Sequence, residues 1–83
     1  KAPAISDGLF RGFTKVTSYT NMQNLDTSGV TSMTSMFAQN NSLKNIDLSN
    51  FNTANVNSMS SMFATDASLT SLDLSSFDIA FLI

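Results

Sequence analysis

A chain of 83 residues makes one small domain and buries a smaller share of its unfolded surface than an average domain, so modest stability is expected. Four cations, Lys1, Arg11, Lys15 and Lys44, stand against six aspartates for a formal charge of −2; there is no basic stripe on which phosphates would release counterions, and no nucleic acid partner is expected. Cysteine and histidine are absent and charged residues make up 12%. That removes a disulfide framework, a zinc site of the usual ligands and an imidazole base, and leaves solubility to Ser, Thr and Asn.

Lys1-Ala-Pro-Ala starts without a Met or a charged-then-apolar leader, so any signal peptide is expected to have been removed or to lie outside this stretch. The longest apolar run, Ile79-Ala-Phe-Leu-Ile83, falls far short of the ~20 residues of a membrane helix, so no membrane insertion is expected.

The chain is built on a period of 26. Met33 recurs as Met59, Met36 as Met62, Phe37 as Phe63, Leu43 as Leu69, Ile46 as Leu72, Leu48 as Leu74 and Phe51 as Phe77. A fixed period marks stacked repeats, and about three units fit, the minimum for mutual support. The units read as 1–29, 30–55 and 56–83, in a single repeat domain. In the first, Leu9-Phe10 sits 27 residues before Met36-Phe37, whereas Leu25 and Val30 keep the 26 register with Phe51 and Val56. One residue is therefore inserted, and matching Val16 and Tyr19 to Leu43 and Ile46 places it near Tyr19 to Met22. Gly8 and Gly12 flank Leu9-Phe10, where tight backbone turns are expected.

In the second unit, Val30, Met33, Met36 and Phe37 lie at i, i+3, i+6 and i+7, one face of a helix. The residues between them are Ser and Thr, poor helix formers, so a short helix or 3₁₀ turn is predicted. Thr53 and Asn55 suit a cap or an Asx-turn for its copy. Asn45-Ile-Asp-Leu-Ser49 and Ser71-Leu-Asp-Leu-Ser75 alternate with period two, which reads as a strand with Ile46, Leu48, Leu72 and Leu74 inward and the polar residues outward. One short parallel strand and one short helix per unit predict an α/β repeat solenoid, like a leucine-rich repeat. The Met-x-x-Met-Phe face has nothing else to bury, so its methionines read as core.

The run Leu43-x-x-Ile46-Asp-Leu-Ser-x-Phe51-x-Thr-x-x-Val56-x-x-Met59-x-x-Met62-Phe63 resembles the repeat of BspA-like bacterial surface proteins, leucine-rich-repeat relatives found in mycoplasmas, lactobacilli and other bacteria. The match covers about residues 22–78. Family repeats often carry a Cys after Met-Phe, where this chain has Ala38 to Ser42 and Ala64 to Ser68, so no thiol role carries over. The family's Asp-Thr-Ser-Asn-Val becomes Asp78-Ile-Ala-Phe-Leu82. The resemblance implies an extracellular module at a bacterial cell surface that binds a protein or glycoprotein ligand such as mucin or a matrix protein. The competing expectation is a spacer repeat that binds nothing.

The outward strand face supplies the candidate ligand-binding residues: Asn21, Gln23, Asn45, Asp47, Ser49, Ser71, Asp73 and Ser75. Its ladder Asn21, Asp47, Asp73, and the turn ladder Asp26, Asn52, Asp78, are rich in oxygen. Like charges about 5 Å apart on an exposed face repel by only ~1 kcal/mol in water, and calcium-loop signatures are absent, so neither a metal nor a cofactor is assigned. A carboxylate pair on an open face, without His, Cys or Glu, does not make a hydrolase, and no enzyme is expected. Asn40-Asn-Ser42 matches a glycosylation sequon by chance. The apolar end predicts end-to-end pairing of two copies through residues 72–83.

Overall fold

The computed structural model describes residues 1–77. Among them there is neither an α-helix nor a strand; regular structure is one 3₁₀ turn at Met22–Asn24 and two isolated parallel bridges, Ile5 with Ser32 and Ser32 with Ser58. The expected α/β solenoid of strands and helices, like a leucine-rich repeat, is not what this chain builds. Its units instead lie on one another as coils of turn and extended backbone, and the reasons sit in particular residues.

The helix fails in the Met-x-x-Met-Phe segment because the backbone turns left-handed every fourth residue. Ser35 and Ser61 have φ of 56°, Gln39 and Thr65 of 61°, and the equivalent first-unit positions are Gly8 at 63° and Gly12 at 81°. Turns close around the first set: Met36 N–H donates to Met33 C=O at 3.2 Å, Met62 to Met59 at 3.3 Å and Leu9 to Ser6 at 3.2 Å. A positive φ at the third residue is what a type II turn demands, and it ends any α-helix there. The peptides left over pair between units instead. Met33, Ser35, Phe37 and Gln39 donate to the carbonyls of Ser58, Ser60, Met62 and Ala64 at 2.8–3.0 Å. The segment that reads as helical thus carries the inter-unit ladder.

The strand fails in the Leu-Asp-Leu-Ser segment because its aspartates compete for the backbone. Asp47 accepts the Ser49 N–H at 3.0 Å and Asp73 the Ser75 N–H at 2.9 Å, each an Asx-turn that removes a ladder donor. Backbone pairing here comes down to Lys44 N–H on Thr17 C=O at 3.0 Å and Thr70 N–H on Lys44 C=O at 3.1 Å. The alternation of side chains persists without the strand: Ile46 and Leu48 are buried and Leu72 and Leu74 half-buried, with Asn45, Asp47, Ser49, Ser71, Asp73 and Ser75 exposed.

Burial follows the repeat. Val30, Met33, Met36, Phe37, Leu43, Leu48, Phe51, Val56, Met59 and Met62 form one core, so the methionine ladder fills space inside. Phe10, Phe37 and Phe63 stack face to face with centroids 5.2 and 5.8 Å apart, and Phe51 lies on Phe77 at 5.9 Å. Tyr19 meets Phe10 and Phe37 obliquely. Within the stretch near Tyr19 to Met22, to which the extra residue of the first unit is assigned by register, Asn21 turns to φ 61° ahead of Met22–Asn24. Asn55, a cap candidate, reaches across to the Ser28 carbonyl at 2.9 Å. Asp78 and the rest of 78–83, with most of the segment assigned to end-to-end pairing, lie outside the described residues.

Candidate functional site

All eight residues of the candidate face, Asn21, Gln23, Asn45, Asp47, Ser49, Ser71, Asp73 and Ser75, are exposed. The second and third units bring their share together. Asp47 is near enough for its charge to act against ionisation of Asp73, and Thr70 is tied to the Lys44 carbonyl beside Asn45 by both its N–H and, at 3.2 Å, its hydroxyl. The first unit joins through Asn50, whose amide donates to the Gln23 carbonyl at 2.9 Å.

The electrostatics of this face are set by serine. The side chain and then the N–H of Ser49 hold the Asp47 carboxyl below the usual range, and Ser75 does the same for Asp73 in that order. Ser28 treats Asp26 likewise, its hydroxyl at 2.7 Å and its N–H at 2.9 Å, with Lys1 adding a smaller pull. The three carboxylates stay ionised and keep part of their acceptor capacity for a neighbour. Among the described residues no group of three acidic or other metal-ligating side chains converges to hold a cation.

A second polar group, inside the stack, escaped the sequence reading. Asn40 is 0% exposed, and its amide donates to the carbonyls of Phe10, Phe37 and Ala38 at 2.9, 2.7 and 3.2 Å. Its side-chain oxygen accepts the Tyr19 hydroxyl, and its N–H donates to Asp66 at 2.8 Å. The sequon of which Asn40 is the acceptor is therefore sealed in the core. Burial pushes the Asp66 carboxyl above the usual range, against the pull of the Asn40 N–H; one of its oxygens is buried without a hydrogen-bond partner. Burial, then the charge of Asp66, raises the Tyr19 phenol. The available signal was the offset of 26 between Asn40 and Asp66, two polar residues at one repeat position.

The sequence pattern of a family described as "Mycoplasma protein of unknown function, DUF285" matches residues 7–82, and the chain belongs to that family. No curated protein and no solved structure matches it.

Proposed function

We propose that this member of the DUF285 family is a recognition module of a bacterial surface protein, binding a protein or glycoprotein such as mucin or a matrix protein outside the cell. The observation that carries the reading is the exposed row Asn45, Asp47, Ser49, Ser71, Asp73 and Ser75, repeated on adjacent coils, with Asn21 and Gln23 beside it. The resemblance of the repeat to that of BspA-like surface proteins supports the same reading. Ionised carboxylates between amides and hydroxyls suit extended polar ligands rich in O–H and N–H donors. Tyr19 packs on Phe10 and Phe37, so it does not serve as a sugar-stacking platform on that face. Each module then binds weakly, and repetition raises avidity.

One observation favours a spacer instead: Asp26, Asp47 and Asp73 each spend an oxygen on their own backbone two residues on. Carboxylates recruited to shape turns need no ligand. Binding of the chain to a glycan array, to mucin and to fibronectin separates the two. The adhesin reading expects binding that Asp47→Ala with Asp73→Ala abolishes while the melting temperature holds; silence at high concentration favours the spacer.

A further inference from the structure

The two ends of the stack are complementary to one another. On the Met-Phe side eight bonds between units run one way, from each coil to the next; only Thr31 and Ser32, which donate to Ala4 C=O, and Asn57, which donates to Thr31 C=O, run back at the start of the segment. Ser6, Gly8, Phe10 and Gly12 donate to the carbonyls of Ser32, Thr34, Met36 and Ala38, and Met33, Ser35, Phe37 and Gln39 donate in turn to Ser58, Ser60, Met62 and Ala64. Moving that pattern on by one unit points the N–H groups of Met59, Ser61, Phe63 and Thr65 away from the stack. Moving it back leaves the carbonyls of Ile5, Asp7, Leu9 and Arg11 facing out at the opposite end. Neither set has a hydrogen-bond partner among the described residues.

Side chains match as well as backbone. Phe63 is half-buried, with Phe37 stacked on it, and Phe10 closes the same column at the other end. The exposed large apolar residues of the described chain, Ile5 at 61%, Leu9 at 39% and Phe13 at 46%, all sit on the first coil. That coil also carries Lys1, Arg11 and Lys15 against Asp7 and Asp26, whereas residues 56–77 carry Asp66 and Asp73 and no cation.

We propose that a second copy of this chain docks head to tail, the third coil of one copy on the first coil of the next. Met59, Ser61, Phe63 and Thr65 donate to the carbonyls of Ile5, Asp7, Leu9 and Arg11, the register already used twice within the chain. The Phe63 ring covers Phe10, continuing the column, and the acidic end meets the basic one. A pairing that uses different surfaces on the two partners does not stop at a dimer, and one that repeats the coil-to-coil step along the stack axis does not close into a ring, so copies add without limit. This differs from pairing through residues 72–83, which joins like ends and stops at two.

Sedimentation of the 83-residue chain over a dilution series tests it, with two blocked variants. Ile5→Lys with Leu9→Lys places ammonium groups on the exposed first-coil edge, the device by which natural proteins blunt edges. Ser61→Lys with Thr65→Lys blocks the other end, where Gln39 at the position equivalent to Thr65 shows that a long side chain is accommodated. The expected result is a wild-type mass that climbs past the dimer with concentration, two blocked variants that are each monomeric with wild-type melting temperatures, and a mixture of the two that forms a 1:1 dimer. A strictly monomeric wild type, association that survives the first-coil block, or blocked variants that stay monomeric when mixed would each overturn the proposal.

Discussion

Each coil has two sides, and they reverse the roles their sequences advertise. The Met-x-x-Met-Phe side, spaced like a helix, holds the units together through backbone bonds in strand-like register; the Leu-Asp-Leu-Ser side, spaced like a strand, is held mainly by its side chains. Apolar spacing reports which side chains go inward, and it does so on both sides. Backbone conformation is decided separately, by what the intervening polar residues do with the peptide groups. A left-handed residue every fourth position puts Met33, Met36 and Phe37 inward as a helix would, without a single helical turn.

Deleting a ring from the aromatic column tests the first side most severely. Phe37→Ala removes a 0%-exposed side chain that touches Phe10, Tyr19, Phe51 and Phe63, and denaturant unfolding should record a loss of about 3–5 kcal/mol. On the other side Leu48→Ala should cost ~2–5 kcal/mol and Leu72→Ala less than Leu48→Ala, because Leu48 is 1% exposed and Leu72 only half-buried. Equal costs for the two leucines would mean that the third unit is as deeply packed as the second.

Between the two sides lies Asn40, and Asn40→Ala strands the Phe10 and Phe37 carbonyls and the Tyr19 hydroxyl, while the Ala38 carbonyl keeps the Gly12 N–H. A loss of ~1–3 kcal/mol is expected in the same assay. Ser35 then distinguishes turn from helix directly. In a helix Ser35→Ala would stabilise and Ser35→Gly would destabilise. At φ 56° the order inverts, with Gly more stable than Ala by up to ~1 kcal/mol, as Gly8 at the equivalent position anticipates.

The carboxylates give the comparison a pH axis. Asp66 has its folded pKa raised, so its contribution is fully present below the unfolded pKa and is lost as pH rises through the folded value. Asp26, Asp47 and Asp73 have theirs lowered, so what they contribute is present above the unfolded pKa and is lost as pH falls through the folded values. Asp66→Asn keeps an acceptor for the Asn40 N–H and copies the amide already present at Asn40. Its melting temperature should gain on the wild type from acid to neutral pH, and the absorbance titration of Tyr19, the one tyrosine, should move down. The smallest effect is on the outer face, where Ser71→Ala should leave stability within ~0.5 kcal/mol.

What could be read in advance was the set of contacts. The period of 26 located the core residues, the phenylalanine positions and the outward row, because burial depends on side-chain identity at repeated positions. The conformation escaped because Ser35, Gln39, Ser61 and Thr65 are ordinary residues in a left-handed turn, with glycine at the matching positions in the first unit alone. Asp47 and Asp73 were legible as outward residues of a strand, but not as the turn formers that take up the peptide groups a strand would need. Asn40 was missed for a related reason: a polar residue between the two apolar segments of a unit reads as loop until its carbonyl partners are known.

The one-way run of eight N–H groups along the Met-Phe side also gives the stack an electrical direction. Peptide dipoles that alternate in an ordinary sheet largely cancel, but those aligned along an axis add, as in a helix. Partial positive charge gathers at the third coil and partial negative charge at the first. Asp66 and Asp73 at the amide end and Lys1, Arg11 and Lys15 at the carbonyl end lie where that polarity favours them, whereas Asp7 and Asp26 on the first coil lie against it. Exchanging those cations and aspartates between the ends would set the side chains against the field of their own backbone, besides breaking the bonds that Asp66 accepts from Asn40 and Asp73 from Ser75.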